Sequence, residues 1–294
     1  MTAPCVECGR PVSPGYQFFS RTTGPLHLVC FHAAHRGEQP RRALITPEDR
    51  MTITCLWLPG TGFSTGPDII SQTFGAALDE RFEFKPLQYP AAYGTAEMPF
   101  AESVAIGKQI LIDAIRATPN VAVIGGYSQG AGIAGTLAAE IGRGELPDLE
   151  VVGCALIADP GRLAGGGMPG SPVVDGYGIA GERPIAGVPT WWAAAEGDPI
   201  TALPAGDLLR TVADVADYYS LAGPVEAFQW GEALVERAKA GRWQRWWSIE
   251  NWRSWGGALQ YAYNYLPAGG RHGRAYVVEG LCVKLAAAVN EAVR

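Results

Sequence analysis

The stretch VAVIGGYSQGAG (121–132) constrains this chain more than any other. Its opening VAVIG is short, apolar and rich in valine and isoleucine, as expected of a strand buried on both faces. Four glycines then surround one serine, and a run of small helix-compatible residues, AGIAGTLAAEIGR (131–143), follows. Gly126-Tyr127-Ser128-Gln129-Gly130 fits the pattern G-x-S-x-G. In that pattern the serine stands on a sharp strand-to-helix turn, with its hydroxyl exposed and glycines allowing the backbone segments to close in. A helix starting just behind the serine also aims its dipole and free N–H groups at the site, which favours a developing oxyanion. Ser128 is the candidate nucleophile.

The alternation continues along the chain. MTITCLWL (51–58) reads as a buried strand broken by PGTGFSTG. ESVAIGKQILIDAIRA (102–117) carries Val104, Leu111 and Ile115 at helical spacing, with Ile110 and Ala114 beside them. VVGCALIA (151–158) and PTWWAAA (189–195) read as further strands, and YVVEGLCVKLAAAVNEAVR (276–294) as a C-terminal helix. Strands alternating with helices predict an α/β fold, a parallel sheet covered on both faces. Residues 205–262 turn helical and read as an insertion packed over that sheet. Within it, RWQRWWSIENWRSW (242–255) holds five of the nine tryptophans, whose rings either pack the insertion down or face a lipid–water boundary.

A serine hydroxyl needs a base. His27, His32 and His35 all lie in the first 36 residues, which leaves His272, in LPAGGRHGRAY just before the last helix. It falls where the chain order Ser…Asp…His requires. The acid that orients it should follow a strand after the serine. Asp159 follows the first such strand and Asp198, in AAEGDPIT, the second; Asp198 leads, Asp159 is the alternative, and Asp175 stands third. The oxyanion requires the N–H of Gln129 and a second donor from the loop after the first strand, where Thr61 in PGTG (59–62) is flanked by glycines.

Residues 1–36 form a separate block. Cys5-x2-Cys8 and His27-x2-Cys30 supply four ligands in two pairs, a Cys3His set that suits tetrahedral, structural Zn2+, with His32 or His35 as alternatives to His27. A block this small draws much of its folding energy from metal. Residues 37–50, GEQPRRALITPEDR, read as a linker, and 51–294 as the catalytic domain. Cys55, Cys154 and Cys282 sit in apolar runs and read as small buried hydrophobes. That usage points to a reducing compartment. A net charge of −6 argues against nucleic acid as a partner, and no apolar run is long enough to span a membrane. The start, MTAPCVECGRPV, lacks the basic and apolar regions of a Sec signal.

With GYSQGAG, the early PGTG loop, the GDP turn and a late histidine in place, residues 51–294 resemble cutinase-type serine esterases. The tryptophan-rich insertion between acid and histidine makes the resemblance narrower, to the lysin B family of phage mycolylarabinogalactan esterases. The resemblance implies an α/β-hydrolase fold and hydrolysis of the ester joining mycolic acids to arabinogalactan. It implies Ser128 as nucleophile, His272 as base, Asp198 as orienting acid, and no cofactor for catalysis. It also implies synthesis in the host cytoplasm and release at lysis onto the cell envelope. The N-terminal block departs from the usual pattern of that family, and three roles fit it: contact with the envelope, contact with a protein, or stabilisation of the chain. Two other functions fit the same residues: a general esterase acting on shorter acyl chains, and a zinc-finger adaptor whose hydrolase-like domain does not turn over.

Overall fold

The computed structural model describes residues 52–66, 68–92, 98–205, 207 and 270–293, together with the backbone of two short strands nearer the N-terminus. The chain divides into two compact units, Met1–Arg50 and Met51–Arg294. In the first, β1 (Phe18–Phe19) and β2 (Pro25–Leu26) pair antiparallel. The expected zinc ligands Cys5, Cys8, His27 and Cys30, and the alternatives His32 and His35, lie outside the described residues. So do the insertion beyond Asp207 and all five of its clustered tryptophans.

The second unit is built on a five-stranded parallel sheet. Its strands are β3 (Ile53–Leu58), β4 (Phe82–Pro86), β5 (Val121–Tyr127), β6 (Gly153–Ile157) and β7 (Thr190–Ala193), in the order β4-β3-β5-β6-β7. Every residue of β3 and β6 is buried, as continuous apolar runs at the centre of a parallel sheet must be. The helices are α1 (Ile69–Ala76), α2 (Phe100–Ala117), α3 (Gln129–Gly142), α4 (Arg274–Val278) and α5 (Leu281–Ala292). Successive side chains on a strand point to opposite faces, so the sheet feeds two cores. Cys55, Trp57, Val123 and Ile157 pack with Phe74 of α1, Tyr276 of α4 and Leu285 of α5. Leu56, Leu58, Ile124 and Leu156 pack with Leu111 of α2 and Leu137 of α3. Each fully buried large side chain contributes about 1.5–3 kcal/mol. The layering is that of an α/β-hydrolase-like fold.

Three local departures from the sequence reading have physical causes. The strand before the serine runs on past Gly125 through Gly126 to Tyr127, because its pairing with β6 continues to Tyr127↔Ile157. The C-terminal helix is not continuous: Gly280 takes φ 69°, a left-handed conformation that ends α4 and lets α5 begin afresh. The edge strand β4 and helix α1 stand where no element was expected. FEFKP alternates for only five residues, exposes Glu83 and Lys85, and closes on a proline, as edge strands tolerate. Cys55, Cys154 and Cys282 are buried free thiols, as expected, and burial pushes the Cys282 thiol up to about 12. Among the described residues, no helix is long and apolar enough to cross a membrane.

Candidate active site

The loops that leave the C-terminal ends of β3, β5 and β7 converge, the usual place for a site in a parallel sheet. Ser128 joins β5 directly to α3 with φ 54° and ψ −116°. A non-glycine residue held there stores about 1–3 kcal/mol and needs surroundings that enforce it. Its N–H donates to the Ile157 carbonyl at 2.9 Å, and its own carbonyl accepts from the Gly132 N–H at 3.0 Å. The flanking glycines are obligatory. A Cβ on Gly126 would lie 2.3 Å from the Gly130 carbonyl carbon, and one on Gly130 would lie 2.1 Å from the Leu58 oxygen. The turn therefore closes only because both side chains are absent.

His272, just before α4, brings its ring to the serine. Ser128 Oγ and His272 Nε2 are 2.9 Å apart. His272 Nδ1 lies 3.0 and 3.1 Å from the two carboxylate oxygens of Asp198. A neutral imidazole that donates Nδ1–H to Asp198 leaves the Nε2 lone pair facing the serine hydroxyl. Tyr127 fixes the ring from below: it stacks at 5.5 Å between centroids, and its hydroxyl donates to the His272 carbonyl at 2.6 Å. Arg271 Nε donates to the Glu196 carbonyl at 2.6 Å, and its guanidinium pairs with Glu279. The histidine loop is thereby tied to the loop after β7.

Asp198 is fully buried, with no lysine or arginine among its hydrogen-bond partners in the described residues. An isolated buried carboxylate is costly, and here it is met by neutral donors. Besides His272, the Ile200 N–H donates to Oδ1 at 2.9 Å and the Tyr276 hydroxyl to Oδ2 at 2.6 Å. Tyr276 was not singled out in the sequence. Its only signal is its place four residues after the histidine, in a run that otherwise reads as core.

The two alternative aspartates stand elsewhere. Asp159, also fully buried, binds the Arg183 guanidinium at 2.6 Å, the Trp192 indole N–H at 2.9 Å and the Gly161 N–H at 2.9 Å. Asp175 has an exposed side chain, and its carbonyl accepts from Arg162 at 3.3 Å. That arginine is itself fully buried, and its guanidinium donates to the carbonyls of Thr201, Gly166, Val174, Asp175 and Gly176. It binds the chain just after Asp198 to the loop that precedes β7.

Thr61 and Gln129 meet across the site, the Thr61 hydroxyl donating to Gln129 Oε1 at 3.0 Å. The Gln129 amide group donates in turn to the Ala92 carbonyl at 3.1 Å and to Ser103 Oγ at 3.2 Å. Neither the Thr61 N–H nor the Gln129 N–H has an acceptor among the described residues. The Gln129 N–H opens α3 directly after Ser128, and the Thr61 loop is joined to Gln129 through its side chain, so both backbone amides are candidate donors to a developing oxygen charge. The described residues contain no group of three or more His, Cys, Asp or Glu side chains placed to hold a metal ion.

No family model and no curated protein matches this chain. Solved structures do. Lysin B from Mycobacteriophage D29 is 17% identical, with 79% of this chain and 99% of that chain covered at a TM-score of 0.48. The catalytic core of acetyl xylan esterase from Trichoderma reesei is 22% identical, covering 65% and 98%, with a TM-score of 0.40. A cutinase-like protein from Cryptococcus sp. is 20% identical, covering 51% and 79%, with a TM-score of 0.39.

Proposed function

We propose that this protein is a serine ester hydrolase whose nucleophile, base and acid are Ser128, His272 and Asp198. One observation carries the reading: the unbroken hydrogen-bonded chain from Ser128 Oγ through His272 to a buried Asp198, set on a strained strand-to-helix turn. Ser128 Oγ attacks the ester carbonyl while His272 Nε2 takes its proton. The Gln129 and Thr61 N–H groups receive the oxyanion, and Asp198 supports the imidazolium. His272 then returns the proton to the departing alcohol, leaving an acyl-serine. Water, deprotonated by the same nitrogen, releases the acid. Apart from the ester and the water, each group this cycle uses is a side chain or backbone amide of this chain.

The substrate we infer is the mycolyl ester of arabinogalactan, reached on the host envelope after synthesis in the host cytoplasm and release at lysis. What supports this is the resemblance of GYSQGAG, PGTG and GDP, with the tryptophan-rich insertion before His272, to the lysin B family. The N-terminal block, with Zn2+ on Cys5, Cys8, His27 and Cys30, would then serve as an envelope or protein contact.

The test is hydrolysis of a p-nitrophenyl ester and of mycolyl-arabinogalactan by wild type and Ser128→Ala. Cleavage of both substrates by wild type alone is the expected result. Cleavage of only the short ester would make this a general esterase. An inert wild type would leave the adaptor function, with the zinc block as its working part.

A further inference from the structure

In the hydrogen-bonded chain described above, Asp198 has two oxygens and three donors. His272 Nδ1 sits almost evenly between Oδ1 and Oδ2, so the imidazole alone does not fix the carboxylate plane. The remaining two donors divide the oxygens between them: the Ile200 N–H takes Oδ1 and the Tyr276 hydroxyl takes Oδ2. The Ile200 bond is local, two residues along the same turn, and moves wherever the turn moves. The Tyr276 bond comes from another element, α4, which begins two residues after the histidine. It is also the shortest contact Asp198 makes, at 2.6 Å.

The tyrosine is itself anchored. Its side chain is fully buried in the core beneath the sheet, and its oxygen accepts from the Ala195 N–H at 3.2 Å, just past the end of β7. One hydroxyl therefore joins the turn after β7, which carries the acid, to α4, which follows the histidine. Tyr127, the residue before the nucleophile, packs edge-on against the Tyr276 ring at 6.4 Å and stacks on His272. Burial, with Asp198 adding to it, holds the Tyr276 phenol well above its ordinary range, so the hydroxyl stays a donor throughout the working pH range.

We propose that Tyr276 is a positioning residue of this site, one that fixes the Asp198 carboxylate against His272 and so sets the imidazole toward Ser128. The proposal rests on the serine-hydrolase reading. It extends the working set from three side chains to four, the fourth touching neither substrate nor reacting atoms. It also assigns a reason for a polar tip on an otherwise apolar core side chain, which a phenylalanine would fill equally well in volume.

The experiment uses the full-length chain carrying Tyr276→Phe, Asp198→Ala and both together. Tyr276→Phe keeps the ring and removes only the hydroxyl. On a p-nitrophenyl ester, kcat should fall about tenfold with KM within about twofold, the scale of one lost hydrogen bond to a charged group. Adding Tyr276→Phe to Asp198→Ala should produce no further loss, because the tyrosine acts through the carboxylate. A second readout needs no activity: the far-downfield proton resonance of His272 Nδ1–H, absent in Asp198→Ala, should move in Tyr276→Phe. If Tyr276→Phe slows the Asp198→Ala enzyme by the same factor as wild type, or leaves the resonance in place, the proposal is overturned and the residue is core packing only. An inactive wild type that fails to react with a fluorophosphonate would overturn the hydrolase reading instead. In that case the resonance still decides whether Tyr276 is coupled to the Asp198–His272 pair.

Discussion

Two aspartates stand at the ends of neighbouring strands, both fully buried, and they are solved in opposite ways. Asp159, after β6, is neutralised by the Arg183 guanidinium and braced by the Trp192 indole. Asp198, after β7, is held by an imidazole, a phenol and a backbone amide. A carboxylate already paired with arginine has little left to offer a histidine that becomes charged during a reaction. One held by neutral donors keeps that capacity, because the cation it lacks is the imidazolium that forms. The comparison separates a structural acid from a candidate working acid on the identity of the partner, since burial is the same for both.

Substitutions can break this contrast. Ser128→Ala and His272→Gln should produce the largest losses, on the order of 10^5–10^6 in kcat on a soluble ester, measured with folding checked by circular dichroism. Asp198→Asn should cost on the order of 10^3–10^4 in kcat while leaving the melting temperature nearly unchanged. Asp159→Asn should do the reverse. Leaving Arg183 without its partner should cost about 3 kcal/mol, a fall of roughly 6–12 °C in Tm, with kcat within a fewfold of wild type. If Asp159→Asn were the one to abolish turnover, the assignment of acids would be inverted.

A smaller effect concerns pH. The folded protein holds the Tyr276 proton more tightly than the unfolded chain does, where the phenol titrates near its ordinary value of about 10. Its contribution is therefore complete below that pH and is lost as the pH rises through it, at about 1.4 kcal/mol per pH unit. Urea titrations at pH 8 and pH 11 should show a shallower alkaline loss for Tyr276→Phe than for wild type. Asp175→Asn, at the exposed third aspartate, should move neither kcat nor Tm measurably, with a stability change within about 0.5 kcal/mol.

The serine end of the candidate site is legible because its constraints are local. A strand, a strained turn and a helix follow one another without a gap, and the glycines needed at 126 and 130 sit within two residues of Ser128. His272 is legible by scarcity, as the single histidine after residue 36. The other end is not local. Asp198 and Tyr276 are 78 residues apart in the chain and meet only through the fold. Arg162 carries no signal in the sequence that sets it apart from other charges, yet it is buried with five carbonyls around it.

By itself, then, the sequence determined the parallel α/β layering, the buried cysteines and the position of Ser128, because periodicity, apolar runs and turn chemistry act over a few residues. Only the tertiary structure decided which of two buried aspartates faces His272, and that a tyrosine holds it there. A carboxylate's partners are fixed by which loops converge at the sheet's end, and neither composition nor spacing encodes that convergence.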